Sequence, residues 1–300
     1  MMSKKMIKES TVWQIVAHAV MIIGSLLALL PFVLLVIASF TDNQTALVNG
    51  YSFTPEKWSL AAYEYIAAQW TTIGRAYVMT IVVTVVGTVL SLVITSAFAF
   101  AVSNDKLPGQ KILMFLCIFT MLFNGGIVAS YYIYSNVFHI RNTIWALIMP
   151  NLLLSPFNVV LVKNYFTNSI SPSILEAARI DGAGVFSVFI KIVIPLSVPI
   201  LATVGLMTAI AYWNDWTNGL YYLNDNGGSQ YYTIQIVLNR INENINFLSN
   251  NAELATQAAQ LPSTTMRMAI AVIGILPIVV AYPFFQRYFV KGITLGGVKE

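Results

Sequence analysis

The sequence predicts an all-α membrane protein, with six transmembrane helices forming a single domain over residues 1–300. Three observations predict it. The chain is 57% hydrophobic and only 9% charged, where a soluble domain carries about 25% charged residues. Its apolar residues gather into six runs of about 20 residues, each enough to cross about 30 Å of hydrocarbon as a helix. The basic residues then sort unequally between the loops on the two sides of those runs. Lipid cannot satisfy the backbone of a loop or a sheet edge, so the runs are read as helices.

The first run covers roughly residues 12–40 and follows Lys4, Lys5 and Lys8. It is too long for the core of a signal peptide and lacks a small-x-small cleavage site, so it is read as a helix that stays in place. Pro31 falls inside it, a position expected to kink a helix. Residues 42–72 are polar and aromatic, with Trp58, Tyr63, Tyr65 and Trp70, and read as an interfacial belt. The second run is roughly 76–102, closed by a short polar turn to Lys111. The third is roughly 112–134, interrupted by Asn124-Gly125-Gly126. A turn with His139 and Arg141 precedes the fourth, roughly 143–162. The fifth is roughly 194–216, the segment 221–262 is polar, and the sixth is roughly 265–285, followed by a tail to Glu300.

Six spans put both termini on one side. With that side inward, the inner loops hold Lys4, Lys5, Lys8, Lys106, Lys111, Lys163, Arg179, Lys191, Arg287, Lys291 and Lys299. The outer loops hold Lys57, Arg75, Arg141, Arg240 and Arg267. Positive charge favours the cytoplasmic face, so both termini and the loop 171–193 are expected inside and the segment 221–262 outside. The net charge of +4 is therefore a topology signal and not a mark of nucleic-acid binding.

The loop 171–193 carries charge between two long apolar runs. Ser171 suits a helix cap and Pro172 a first helical turn. Asp181-Gly182 should end that helix, because glycine takes left-handed backbone geometry freely. A second short helix is expected over about 183–191. Small residues at Ala177 and Ala178 would let another protein approach closely.

Catalytic chemistry is missing from the pattern. There is no Gly-x-x-x-x-Gly-Lys-Ser/Thr phosphate cradle and no metal-ligand spacing of Cys or His. Cys117 is the single cysteine, so no intrachain disulfide forms. His18 and His139 are isolated, and no nucleophile has a base at motif spacing. No catalytic residue and no metal ligand is assigned, and the chain is not expected to be an enzyme.

Glu176-Ala177-Ala178, three residues, Gly182, nine residues, then Ile192-Val193-Ile194-Pro195 resembles the cytoplasmic-loop signature of permease subunits in bacterial ABC importers. Ile194 stands where the pattern has Leu. Trp213-Asn214-Asp215-Trp216, Asp105-Lys-Leu-Pro-Gly109, Met121-Leu-Phe-Asn-Gly-Gly126 and the ending Gln286 to Lys299 narrow the likeness to carbohydrate-uptake importers. Within these the chain is similar to the maltose-permease-like second subunit, in the subgroup handling oligosaccharides or polysaccharide fragments, from about Pro31 onward. The resemblance implies a type I importer permease fold with cytoplasmic coupling helices, in a bacterial plasma membrane. It implies four kinds of partner: a second homologous permease, two ABC ATPase subunits that bind ATP and Mg, an extracellular sugar-binding lipoprotein, and the saccharide itself. No cofactor is expected in this chain. Glu176, Ala177, Ala178, Asp181, Gly182 and Ala183 would couple to the ATPase, and a tail with Gly296, Gly297 and Lys299 would enter the ATPase interface. The glycines there would keep the backbone thin and flexible.

Sugars are held by aromatic faces and by side chains that both give and accept hydrogen bonds. Tyr212, Trp213, Asn214, Asp215, Trp216 and Asn124 are the candidates for a substrate path. An ionisable Asp215 near membrane depth is a functional candidate. A tryptophan belt with Asn and Asp closing a helix end accounts equally for residues 212–216, and bonding between helices accounts equally for Asn124, so both readings stay open. A permease for another solute, a peptide or glycerol phosphate, is the alternative within transport. An ion-coupled carrier is disfavoured, because symmetric halves and broken midplane helices are not evident in the sequence.

Overall fold

The computed structural model describes residues 4–104, 107–250 and 263–297. Among the described residues there are helices and a single isolated antiparallel bridge, Thr41 to Trp58, and no strand. The chain divides into two units, residues 1–70 with 241–276, and residues 71–240 with 277–300.

In the first unit α1 runs Lys4–Ser39 without a break, Pro31 included. Its side chains from 12 to 33 are exposed, as expected of a helix whose apolar surface meets lipid on every side. Its end is pinned by polar contacts. Ser39 Oγ donates to Val36 O at 2.6 Å and pairs with the Tyr63 hydroxyl at 2.8 Å, while Phe40 stacks on Tyr63 at 4.8 Å. Asp42 caps α2 (Asn43–Asn49) through the Thr45 amide and lies 3.5 Å from Lys57. α3 follows over Ala61–Ala68. Asn43 Oδ1 accepts from the Thr264 and Thr265 amides. Those two donors belong to the first turn of the last helix, Ser263–Gly297, and would otherwise lack partners.

The second unit is built on α4 (Trp70–Ser103), α5 (Gln110–Leu122), α6 (Gly126–Tyr132), α7 (Trp145–Ile148) and α8 (Pro156–Ser169). α9 (Pro172–Ile180) and α10 (Val185–Val188) make the short hairpin. α11 (Ile194–Leu196), α12 (Val198–Asn214) and α13 (Thr217–Tyr222) follow; α14 (Ile234–Asn250) begins in this unit and continues into the first, and the Ser263–Gly297 helix, α15, belongs to the first unit up to Leu276 and to the second beyond it. One core joins Ala99, Val162, Phe166, Ala178, Val188, Phe189, Val193 and Val204. A second joins Val83, Ala146, Leu147, Ile148, Tyr212 and Tyr222.

The spans are less regular than the apolar runs predict. Two helices are long and apolar enough to cross a membrane, Val12–Ser39 and Trp70–Ser103. Val185–Leu196 and Val198–Asn214 make a third if the pair, bent by 79°, counts as one. Run 112–134 breaks after Leu122, where Asn124 Oδ1 accepts from the Gly126 amide at 2.8 Å, and then passes through a π-helical stretch, Ile133–Val137. Run 143–162 divides into α7 and α8 around Pro150 and Asn151, the latter at φ +61°. The fifth run bends at Ser197, between Pro195 and Pro199. The sixth does not end near residue 285, because α15 continues to Gly297.

Gly87 sets the spacing of α4 and α12. A Cβ there would lie 2.5 Å from the Tyr212 ring, which is itself fixed by a 2.8 Å bond from its hydroxyl to Ile148 O. Gly87→Ala is therefore expected to cost roughly 1–3 kcal/mol by overpacking. The expected readout is a lower melting temperature of the detergent-solubilised protein. An unchanged melting temperature would mean that the ring can step aside.

Candidate functional site

The hairpin forms where its sequence predicts, but the Ser171 hydroxyl pairs with Ser173 instead of capping, and the second helix is α10 continued by a π-helical stretch, Phe189–Val193. Pro172 opens α9, where its missing N–H costs no hydrogen bond. Asp181 N returns to Ala177 O at 2.9 Å, Gly182 N to Arg179 O at 3.1 Å, and Ala183 N to Ala178 O at 2.9 Å. These bonds close the helix end around Gly182 at φ +79°, the left-handed geometry that glycine takes without a Cβ penalty.

The two faces of α9 differ. Ala178 is buried in the core with Phe166, Val188 and Phe189, so its small side chain brings the hairpin onto α8 rather than opening it to another protein. Glu176, Ala177, Arg179, Asp181 and Gly182 are exposed, and Ala183 is half-buried. Beside them stand three bare apolar side chains, Ile180 at 86% exposure, Val185 at 71% and Phe186 at 77%. These were not singled out from the sequence. Their signal was available, since they are large apolar residues in a loop assigned outside the lipid.

At the other end of α12 the candidates separate. Tyr212 is buried and bonded to a backbone carbonyl, which makes it a packing post. Trp213 is buried with its ring 6.4 Å from Tyr77. Asp215 Oδ1 accepts from the Thr217 and Asn218 amides at 3.1 and 3.3 Å, capping α13. Asn124 likewise closes its own turn. Asn214 and Trp216 remain exposed. The helix-closing reading thus describes Asp215 as it stands, while the Asn124 oxygen bonds within its own turn.

Between α4, α12 and the start of the second unit's part of α15 lies a cavity of about 430 Å³. It is lined by Thr84, Val85, Thr88, Val89, Leu92, Gly205, Ala209, Trp213 and Pro277 among others. That lining is too apolar to satisfy a sugar's hydroxyls. Polar contacts elsewhere in the unit tie its elements together: Asn158 Nδ2 donates to Thr208 Oγ1 at 3.2 Å, and Asn218 Nδ2 to Pro150 O at 3.1 Å. At the tail, Gly296 and Gly297 are helical, a correction to the thin, flexible backbone expected there, and Lys299 lies outside the described residues.

The described residues thus make a helical protein with two long apolar spans and a hairpin that leaves Ile180, Val185 and Phe186 bare. The chain belongs to the family of binding-protein-dependent transport system inner membrane components, whose model matches residues 12–295. It is 33% identical over 291 residues to the polygalacturonan/rhamnogalacturonan transport system permease protein YtcP of Bacillus subtilis, covering 97% of this chain and 99% of that one. It is 28% identical to the arabinooligosaccharides transport system permease protein AraQ of Halalkalibacterium halodurans, over 91% and 92% of the two chains. Its fold matches the crystal structure of a bacterial ABC transporter involved in import of the acidic polysaccharide alginate. That match has a TM-score of 0.76 and 29% identity, and covers 96% of this chain and 99% of that one.

Proposed function

We propose that this chain is the membrane subunit of an ATP-driven importer that brings oligosaccharides or polysaccharide fragments into the bacterial cytoplasm. The relatives named above are permeases of saccharide systems, which supports a sugar over the peptide or glycerol phosphate alternative. The observation that carries the mechanism is the hairpin α9–α10 with Ile180, Val185 and Phe186 bare. Exposed apolar residues of this size outside lipid mark a protein interface.

In this reading the hairpin seats in a groove of a partner ATPase, which holds ATP and Mg, and closure of the ATPase pair moves α10 through α12. Ala178 and Val188 pass that motion into the core they share with Phe166 and Val204. A second, homologous permease completes the membrane part, and an extracellular binding lipoprotein delivers the sugar. The chain crosses the membrane six times with both termini in the cytoplasm.

The test uses the assembled importer in proteoliposomes together with its binding protein. Saccharide-stimulated ATP hydrolysis and uptake are expected. No stimulation by any oligosaccharide in a neutral and acidic panel would remove the sugar reading. In whole cells, Ser173→Cys and Asn226→Cys should label from opposite sides of the membrane. Labelling from one side would remove the six-span topology.

A further inference from the structure

The turn between the π-helical stretch and α7 is held in an unusual backbone. His139 and Asn142 both have positive φ, +53° and +57°. Backbone of this kind is uncommon outside glycine, although histidine and asparagine adopt it more readily than most residues. Asn142 shows what holds it. Its amide donates to Tyr222 O at 3.0 Å, its Nδ2 donates to Asn224 Oδ1 at 2.9 Å, and its Oδ1 accepts from the Asn224 amide at 2.9 Å. The Ile140 amide donates to Tyr134 O at 3.1 Å. The loop is thus fastened at both ends while its tip faces solvent.

The tip carries Phe138, 54% exposed, and an exposed Arg141. Its cationic neighbours are already engaged. Arg240 pairs with Asp225 at 2.6 Å and stacks over Tyr232 at 4.3 Å, and Arg75 donates to Ser229 O at 3.4 Å. The Tyr232 hydroxyl and the Arg240 guanidinium hold the Asp225 carboxyl below the usual carboxylate range, so that pair stays charged and closed. Among the described residues Arg141 makes no hydrogen bond or ion pair. Behind the tip runs a row of aromatic rings. Phe138 lies 5.9 Å from Tyr134, Tyr134 meets Tyr222 edge-on at 5.9 Å, and Tyr131 stacks on Tyr222 at 5.8 Å. The Tyr222 hydroxyl is buried and has no partner among the described residues.

We propose that the 138–142 loop is a contact site for acidic saccharides, in which the Phe138 ring takes the apolar face of a pyranose and the Arg141 guanidinium takes a uronate carboxylate. This rests on the sugar-import reading above and narrows its substrate class. A planar fork of donors matches a carboxylate in two parallel bonds, and an exposed ring beside it supplies the stacking that carbohydrate faces need. The fixed loop keeps both groups in place before the sugar arrives, so little side-chain and loop freedom is lost on contact.

The experiment compares stimulation of ATP hydrolysis in the complete importer by trigalacturonate, trimannuronate, the methyl ester of each, and neutral oligosaccharides. The binding protein is kept constant throughout. Arg141→Gln is expected to raise the half-saturating concentration of the acid forms about tenfold, the size of a charge-assisted hydrogen bond, and to leave the esters unchanged. Arg141→Lys should lie between, and Phe138→Ala should weaken acid and ester alike. If Arg141→Gln shifts acid and ester equally, the residue serves the binding protein or a lipid headgroup and the proposal is overturned. Stimulation of the wild type by neutral saccharides alone would also overturn it while leaving the import function intact. Stimulation by no saccharide would remove the import reading itself.

Discussion

Replacing Ile180 and Phe186 together by Asp is expected to abolish ATPase docking and reduce uptake to background, while the chain inserts and melts as the wild type does. The two side chains are 86% and 77% exposed, so the free chain loses almost nothing by their removal. In a complex the balance reverses. Burying one such side chain contributes about 1.5–3 kcal/mol, and two carboxylates carried into an apolar groove add a desolvation cost. The pair flanks the Gly182 turn, where central apolar anchors dominate an interface. The measurements are co-purification of the ATPase with the tagged permease, and uptake in vesicles. An ATPase retained at wild-type stoichiometry would place the docking surface elsewhere. A lower melting temperature of the isolated chain would mean that these residues pack within it.

Much of this surface was legible from local sequence. Pro172 marks where α9 starts, and Asp181-Gly182 where it stops, because both signals act within one helical turn. The direction each residue faces was not legible. Ala177 and Ala178 are neighbours of one type, yet one is exposed and the other packs on Phe166 and Phe189. That difference depends on α8 and α10 and not on the two alanines themselves.

The apolar runs located helical segments but not their continuity. An apolar stretch looks alike whether its backbone is one helix or two, so the interruptions at Phe123–Gly125 and at Pro150–Asn151 were averaged away. The substrate candidates show the same limit. Asp215 and Asn124 turn their oxygens to backbone amides two or three residues on, the ordinary behaviour of these side chains at helix ends. The positive φ of Asn142 has only asparagine's own tolerance of that geometry as a local signature. It is maintained by Asn224, 82 residues away, and a single sequence does not register a partner at that distance.

Gly182→Val is the complementary expected loss, because it leaves every docking side chain in place and changes only how they are presented. Nothing lies within 4 Å of a Cβ built on Gly182, so a side chain there meets no neighbour. The penalty is conformational. At φ +79° a β-branched residue is an outlier, at a cost of order 1–3 kcal/mol. The chain can relieve it by giving up the bonds from the amides of Asp181, Gly182 and Ala183 to the last turn of α9. The turn would then open, and Ile180 would part from Val185 and Phe186. Uptake and ATPase co-purification are expected to fall together, by about tenfold for a cost of about 1.4 kcal/mol and by about a hundredfold at the upper end of that range. A graded series separates backbone geometry from bulk. Gly182→Asn should be close to wild type, since asparagine tolerates left-handed geometry, with Gly182→Ala intermediate and Gly182→Val worst. If Asn and Val variants fail equally, the position is sensitive to any side chain at the partner surface, and the turn geometry is not what the coupling depends on.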